Sequence, residues 1–125
     1  MYAIITNNPL VKDKHRTNIE FLDSDAGSIL IRARDLIHRG AKLLTHPLSG
    51  GILPGVSPYK SLIVEKTEDT VATTTDYQSL SLIENAIKLL KETPPGFEGY
   101  DEKTLEDFMV IDLDILDSAM ASIIK

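Results

Sequence analysis

A chain of 125 residues with a formal net charge of -6 and no cysteine has room for one hydrophobic core, so we expect a single domain over residues 1–125. The absence of cysteine excludes disulfides, thiolate nucleophiles, iron–sulfur clusters and cysteine-based zinc sites. Nucleic-acid affinity comes mainly from Lys and Arg contacts to phosphate, so the acidic charge and an aromatic content of 6% argue against a DNA- or RNA-binding protein.

The apolar runs are short, and we expect a cytoplasmic protein that does not attach to a membrane. The N-terminal run, Met1 to Thr6, lacks the length and the basic residues of a signal peptide. Nowhere do about 18 apolar residues follow one another, as a membrane-spanning helix would need.

The N-terminal half begins with strand-like runs and a strongly periodic helix. A continuous apolar run at residues 2–5 predicts a buried strand, and residues 19–22 predict a second one. Ser24 or Asp25 then caps a helix that ends at Gly40. Its apolar residues recur every three or four positions, at Ala26, Ile29, Leu30, Ala33, Leu36 and Ile37.

A long polar segment separates the third predicted strand, residues 42–45, from the fourth, residues 62–65. This segment, residues 45–61, is rich in Gly and Pro. Loops of more than about a dozen residues are uncommon in compact domains, and an ordered one is usually functional. A short extra strand at residues 71–74 is an open alternative.

Two helices are predicted in the C-terminal half. The first begins at Asp76 or Ser79 and ends before Pro94, and the second begins at a cap on Asp101 and runs to the end of the chain. Alternating apolar residues at 110–115 leave a break or a strand within the last helix as an alternative. The apolar stripe of that helix comprises Leu105, Phe108, Met109, Leu116, Ala119, Met120 and Ile123.

This order of elements predicts a small three-layer α/β domain. We expect a parallel or mixed sheet of about four or five strands flanked by helices, with residues 94–125 as a helical C-terminal extension. Ligands of such sheets bind beyond the carboxyl ends of the strands. Two polar segments lie at such ends, one directly after the first strand and the other after the third strand. The candidate ligand-binding residues are Thr6, Asn7, Asn8, Thr45, His46, Ser49, Gly50, Gly51, Tyr59, Lys60 and Ser61.

The turn after the first strand has two interpretations. The side-chain amides and backbone N–H groups of Asn7 and Asn8 could bind a carboxylate or a phosphate, with positive charge from the basic residues of the segment 12–16. Alternatively, an Asn-Pro turn uses these side chains for its own backbone. The sequence does not separate the two.

His46 is the candidate for acid/base catalysis in the long loop, because an imidazole can accept and donate a proton near pH 7. Ser49 could serve as a nucleophile or as an anion ligand, and Lys60 could neutralise a bound anion. No third member of a catalytic triad stands at a recognisable spacing, and the loop matches neither the P-loop nor the dinucleotide-binding fingerprint. A purely structural loop is the other interpretation.

We expect no metal site and no cofactor. The three histidines have no metal-ligand spacing, and Asp112, Asp114 and Asp117 do not share one helix face. Asp112 falls near the apolar stripe of the last helix, which predicts either a buried polar contact or a place in an interface.

Three segments together resemble one protein family. Residues 4–11 (IITNNPLV), 43–50 (LLTHPLSG) and 58–61 (PYKS) are similar to the GrdX family, over residues 2–92 of the chain, whereas the segment from Pro94 onward falls outside the resemblance. That family takes its name from genes that accompany glycine, sarcosine and betaine reductase complexes of amino-acid-fermenting bacteria. The resemblance implies this context and no catalytic residue. Its pattern falls on Asn7, Asn8, Thr45, His46, Ser49, Gly50, Tyr59, Lys60 and Ser61.

Three functional hypotheses follow. The first is an accessory protein of these reductases that binds a small anionic molecule between the Asn7-Asn8 turn and the 45–61 loop. The second is a small enzyme in which His46 acts on an acyl or phosphoryl substrate, assisted by Ser49 or Lys60. The third is an interaction protein that docks on a reductase subunit, or on a second copy of itself, through its C-terminal helix.

Overall fold

The computed structural model describes residues 1–48, 55–66, 74–93 and 99–123. The predicted residues Ser49, Gly50 and Gly51 and most of the alternative strand at 71–74 lie outside this part. The elements in chain order are β1 (Tyr2–Thr6), α1 (Pro9–Lys14), β2 (Ile19–Phe21), α2 (Ala26–His38), β3 (Lys42–Leu43), β4 (Ser61–Glu65), α3 (Tyr77–Glu92) and α4 (Glu102–Ile123).

Aspartates begin the three long helices. Asp25 caps α2 by accepting from the backbone N–H of Ser28 at 2.8 Å. Asp76 caps α3 and Asp101 caps α4 in the same way. A carboxylate at this position satisfies a backbone N–H that has no partner within the helix, so the caps fix where each helix starts. They confirm Asp25 over Ser24 and Asp76 over Ser79.

The sheet is mixed and has four strands in the order β2-β1-β4-β3. β1 pairs in parallel with β2, and β4 pairs antiparallel with both β1 and β3. β1 and β3 therefore run in the same direction and lie on either side of β4. Their carboxyl ends, together with the start of β4, meet at one end of the sheet.

Helices cover both faces of the sheet, as the three-layer prediction requires. Alternate residues of β1 point to opposite sides, so Ala3 and Ile5 pack with α2 and α3, whereas Ile4 packs against α1 and α4. The apolar cluster around Ile4 also contains Ile63 from β4 and Leu116 from α4, both buried. Burial on both faces explains why β1 is apolar throughout rather than alternating.

The structure corrects two details of the prediction. The segment Pro9–Lys14 forms a short helix, which sequence periodicity did not reveal because only Val11 is buried in it. The third strand ends at Leu43 rather than at Thr45. There the backbone N–H of Ile63 donates to Thr45 Oγ1, so a side chain continues the hydrogen bonding where the strand pairing stops.

The helix α4 is continuous from Glu102 to Ile123, so the alternative of a strand at residues 110–115 is wrong. Its inward side packs on the sheet through Leu116. Val110 and Ile111 are exposed on its outer side. Over the parts of the chain that the structure describes, no helix combines the length and the apolar composition needed to cross a membrane.

Asp117 links α4 to the end of α1. Its carboxylate oxygens lie 2.5 Å from Lys14 Nζ and 2.7 Å from His15 Nε2. Partial burial by itself would raise the pKa of Asp117, but the hydrogen bonds from Lys14 and His15 outweigh burial and leave this pKa below its ordinary value. The ion pair therefore adds to folding stability at neutral pH.

We expect Asp117→Asn to lower the free energy of unfolding at pH 7 by at most about 1 kcal/mol, because solvent screens this partly exposed pair. The pKa of Asp117 in the folded protein lies below the ordinary aspartate value of 3.8. The contribution is therefore present above that pH and is lost as the pH falls through the folded pKa. Urea unfolding between pH 7 and about pH 3 tests this by comparison of variant and wild type. A difference that stays constant over this range would contradict it.

Candidate functional site

Three predicted site residues meet at one end of the sheet. Thr6 ends β1, Ser61 begins β4 directly opposite it, and Thr45 follows β3 on the far side of β4. We call this the polar end of the sheet. The two strand ends that sequence analysis singled out are thus not neighbours, and β4 brings Ser61 between them.

A chain of hydrogen bonds runs through the polar end to the C-terminal helix. The Ser61 hydroxyl donates to Asp112 Oδ2 at 2.7 Å. Its one proton is used there, so the 2.6 Å contact between Thr6 Oγ1 and Ser61 Oγ has Thr6 as the donor. Thr6 Oγ1 in turn accepts from the backbone N–H of Asn8 at 3.0 Å. Each proton in this chain points toward the Asp112 carboxylate.

Asn8 is fully buried and joins α1 to α4. Its Oδ1 accepts from the backbone N–H of Leu10 and so caps α1. Its Nδ2 donates to the backbone oxygen of Met109 at 2.9 Å and to Asp112 Oδ2 at 3.0 Å. Both hydrogens of the amide are therefore used within the protein.

Asn7 is also buried, and its side chain holds together three backbone segments. Nδ2 donates to the carbonyl oxygens of Ser24 and Pro58, at 3.0 and 2.9 Å. Oδ1 accepts from the backbone N–H of Lys60 at 2.8 Å. This side chain therefore fixes the approach to β4 and the position of Lys60.

A cavity of about 50 Å³ opens beside this network. This volume accommodates a few water-sized groups. Apolar side chains of the helices form its walls, including Leu30 of α2, Leu90 of α3 and Leu116 of α4. Polar side chains at the sheet end are Thr45, His46, Ser57, Tyr59, Lys60, Ser61 and Asp112. Among the predicted residues that the structure describes, Thr6, Asn7 and Asn8 do not line the cavity. The lining does include Thr45, His46, Tyr59, Lys60 and Ser61.

Lys60 places its amino group against this cavity. Nζ donates to the carbonyl oxygen of Pro47 at 2.7 Å. Among the described residues, it has no other hydrogen-bond partner, and no carboxylate lies within 4.0 Å of it. Burial lowers the pKa of the Lys60 ammonium, and the charge of Asp112 offsets part of that decrease.

Two other loop residues line the cavity in different ways. His46 is exposed, and its Nδ1 accepts from the backbone N–H of Leu48 at 3.1 Å, so this nitrogen stabilises the local turn. Tyr59 is partly buried, and burial raises the pKa of its phenol. The phenol therefore stays protonated at neutral pH and is a hydrogen-bond donor.

Asp112 is the site residue whose role the sequence left open. The structure identifies it as a polar contact within the fold, because it accepts from Asn8 and Ser61 and lines the same cavity as Lys60. Its position near the apolar stripe of α4 was the signal, but an isolated aspartate does not reveal its partners. Within the described residues, no group of three His, Asp or Glu side chains is arranged to hold a metal ion.

Comparison with known proteins identifies the family. Comparison with curated proteins and with solved structures gives no match. A family model described as GrdX-like protein matches residues 3–121, and this match extends beyond the segments noted in the sequence to include α4. Because it covers nearly the whole chain, the protein belongs to the GrdX-like family.

Proposed function

We propose that this protein is an accessory component of glycine, sarcosine or betaine reductase systems and that it binds a small anionic molecule in the cavity at the polar end of the sheet. Membership of the GrdX-like family supports the metabolic context. The observation that carries the binding proposal is the Lys60 amino group, which faces a small cavity and has no carboxylate partner within ion-pair distance among the described residues.

The character of the cavity favours a small anion. A positive charge shielded from water attracts an anion more strongly than an exposed one, because the local dielectric constant is low. The phenol of Tyr59 lines the same space and can add a hydrogen bond. A volume of about 50 Å³ suits a molecule of a few heavy atoms rather than a nucleotide.

The two asparagines have a supporting part in this proposal. Asn7 positions the backbone of Lys60, and Asn8 positions Asp112. Their amide hydrogens are bound to protein oxygens, so they act through these neighbours rather than by contact with the ligand. Only the hydrogen bond from Leu10 to Asn8 Oδ1 is local, as the turn interpretation expected, and the other bonds of both side chains reach remote segments of the chain.

A thermal-shift screen tests the proposal. The compounds are phosphate, acetate, acetyl phosphate, glycine, sarcosine and betaine. A ligand at about a hundred times its dissociation constant stabilises the native state by roughly 2.7 kcal/mol, which raises Tm on the order of 10 °C in a domain of this size. We expect at least one compound to do so with the wild type and to lose its effect with Lys60→Met.

The matched control is Lys103→Met, which removes an exposed lysine from α4. This variant should keep the full response, since Lys103 lies outside the cavity. A shift that survives Lys60→Met would move the binding site elsewhere. The absence of a shift with every compound would overturn the binding proposal and favour the hypothesis of a protein partner.

A further inference from the structure

The environment of Lys60 has a chemical consequence beyond electrostatic attraction. A lysine amine is a nucleophile only when it is not protonated. Lys60 lines a cavity together with leucines and several polar side chains, and its Nζ has one carbonyl acceptor and no carboxylate at ion-pair distance among the described residues. Such surroundings disfavour the charged form and fix the nitrogen in place.

We propose that Lys60 is a nucleophilic lysine that condenses with a small carbonyl compound, a short aliphatic aldehyde or 2-oxo acid, to form an imine at Nζ. Three features of the cavity support this chemistry together. The amine is held by Pro47, a carboxylate faces the same space, and the volume of about 50 Å³ limits the reactant to a few heavy atoms. This inference goes beyond reversible anion binding and concerns the same cavity.

The reaction balances with groups that are present. The Lys60 ammonium gives one proton, through a bridging water molecule, to the Asp112 carboxylate, which lies beyond ion-pair distance of Nζ and whose Oδ1 receives no hydrogen bond from the described residues. The nitrogen lone pair then forms the N–C bond as the carbonyl electrons move to oxygen. That oxygen takes up protons and leaves as water, and the C–O bond breaks. Overall, one ammonium and one carbonyl give one protonated imine and one water.

Asp112 is held in a fixed orientation for this proton transfer. Hydrogen bonds from Asn8 and Ser61 both fall on Oδ2 and hold the carboxylate in one orientation. The proton that Asp112 accepts from the amine can later go to the departing hydroxyl group, as general acid–base catalysis requires. In this scheme Lys60 forms the bond, and Asp112 carries the proton.

Reductive trapping tests the inference on the full-length protein. Wild-type protein is incubated near pH 7 with acetaldehyde or pyruvate and sodium cyanoborohydride, and adducts are located by mass spectrometry of peptides. Each unit by which a lysine pKa is lowered raises its neutral fraction about tenfold at this pH. Because burial lowers the pKa of Lys60, we expect this lysine to be labelled severalfold faster than the exposed Lys103.

Two variants and one internal reference complete the experiment. Lys60→Arg should abolish the fast adduct, and Lys103→Arg should keep it. The α-amino group of the protein also reacts with carbonyl compounds, so peptide mapping is needed to separate its adduct. Labelling of Lys60 at the rate of Lys103 in folded wild-type protein would overturn the inference without the use of any variant.

The two proposals for this cavity fail independently. Lys60→Arg keeps the positive charge, so it should retain a thermal shift with an anion while it loses the fast adduct. A wild-type anion response without fast labelling would leave the binding proposal standing and refute the imine. Fast labelling of Lys60 without an anion response would support the imine and refute the binding proposal.

Discussion

Replacement of Leu116 by alanine is expected to lower the free energy of unfolding by about 3 kcal/mol, within the range of roughly 2 to 5 kcal/mol typical of buried leucines. Leu116 is only 2% exposed and is the buried residue through which α4 packs on Ile4 and Ile63. Its truncation removes apolar contacts and enlarges the neighbouring cavity, which the surrounding side chains refill only in part. Urea unfolding followed by circular dichroism measures the change.

Val110→Ala is the matched control on the same helix. Val110 is 45% exposed, so the loss of its methyl groups leaves no cavity. We expect a change within about 0.5 kcal/mol of zero. Equal effects of the two substitutions would contradict the packing of α4 on the sheet and would support a helix that is available to an external partner.

Asn8→Ala is expected to lower the free energy of unfolding by roughly 2 to 4 kcal/mol. The variant loses the cap of α1 and both hydrogen bonds to α4, to Met109 and Asp112. Asn8 is fully buried, so water does not readily replace these bonds, and polar atoms left without partners add to the loss. Thermal and urea unfolding at neutral pH both measure this loss of stability.

A variant of a second capping residue distinguishes the contribution of the α1 cap from that of the hydrogen bonds between Asn8 and α4. Asp101 caps α4 at an exposed position, and Asp101→Ala should lower stability less than Asn8→Ala does, because it removes a helix cap alone. The excess for Asn8→Ala then measures what the connection to α4 contributes. If both variants lose the same stability, the connection between α1 and α4 contributes nothing to folding.

Lys60 and Asp112 connect these stability predictions to the proposed ligand site. Asn8 and Ser61 orient the carboxylate, and Asn7 fixes the backbone of Lys60. A substitution of either asparagine should therefore disturb both the fold and the cavity. Lys60→Met and Lys60→Arg test the cavity more selectively, because the Lys60 side chain makes a single hydrogen bond among the described residues.

Local patterns in the sequence determined the elements of this fold. The aspartate caps and the apolar periodicity predicted the three long helices, and the continuous apolar runs predicted the strands, because these signals act within a few residues along the chain. The helix α1 was not predicted, because it lacks such a local signal. With one buried residue, Val11, it has no periodicity and is stabilised mainly by the Asn8 cap and by its contact with α4.

The grouping of polar residues at one end of the sheet was also predictable, since polar turns after apolar strands mark the end of a sheet where ligands commonly bind. The partners of each side chain were not predictable, because hydrogen bonds form between residues that only the fold brings together. Asp112 lies about a hundred positions from Asn8, and the antiparallel β4 brings Ser61 between Thr6 and Thr45. The residue types along the chain were therefore enough to predict polar strand ends. Which of these side chains line the cavity depends on the packing of the whole chain, because burial and distance, unlike local propensity, are set by it: Asn7 and Asn8 bond within the protein, whereas Lys60 and Asp112 line the cavity.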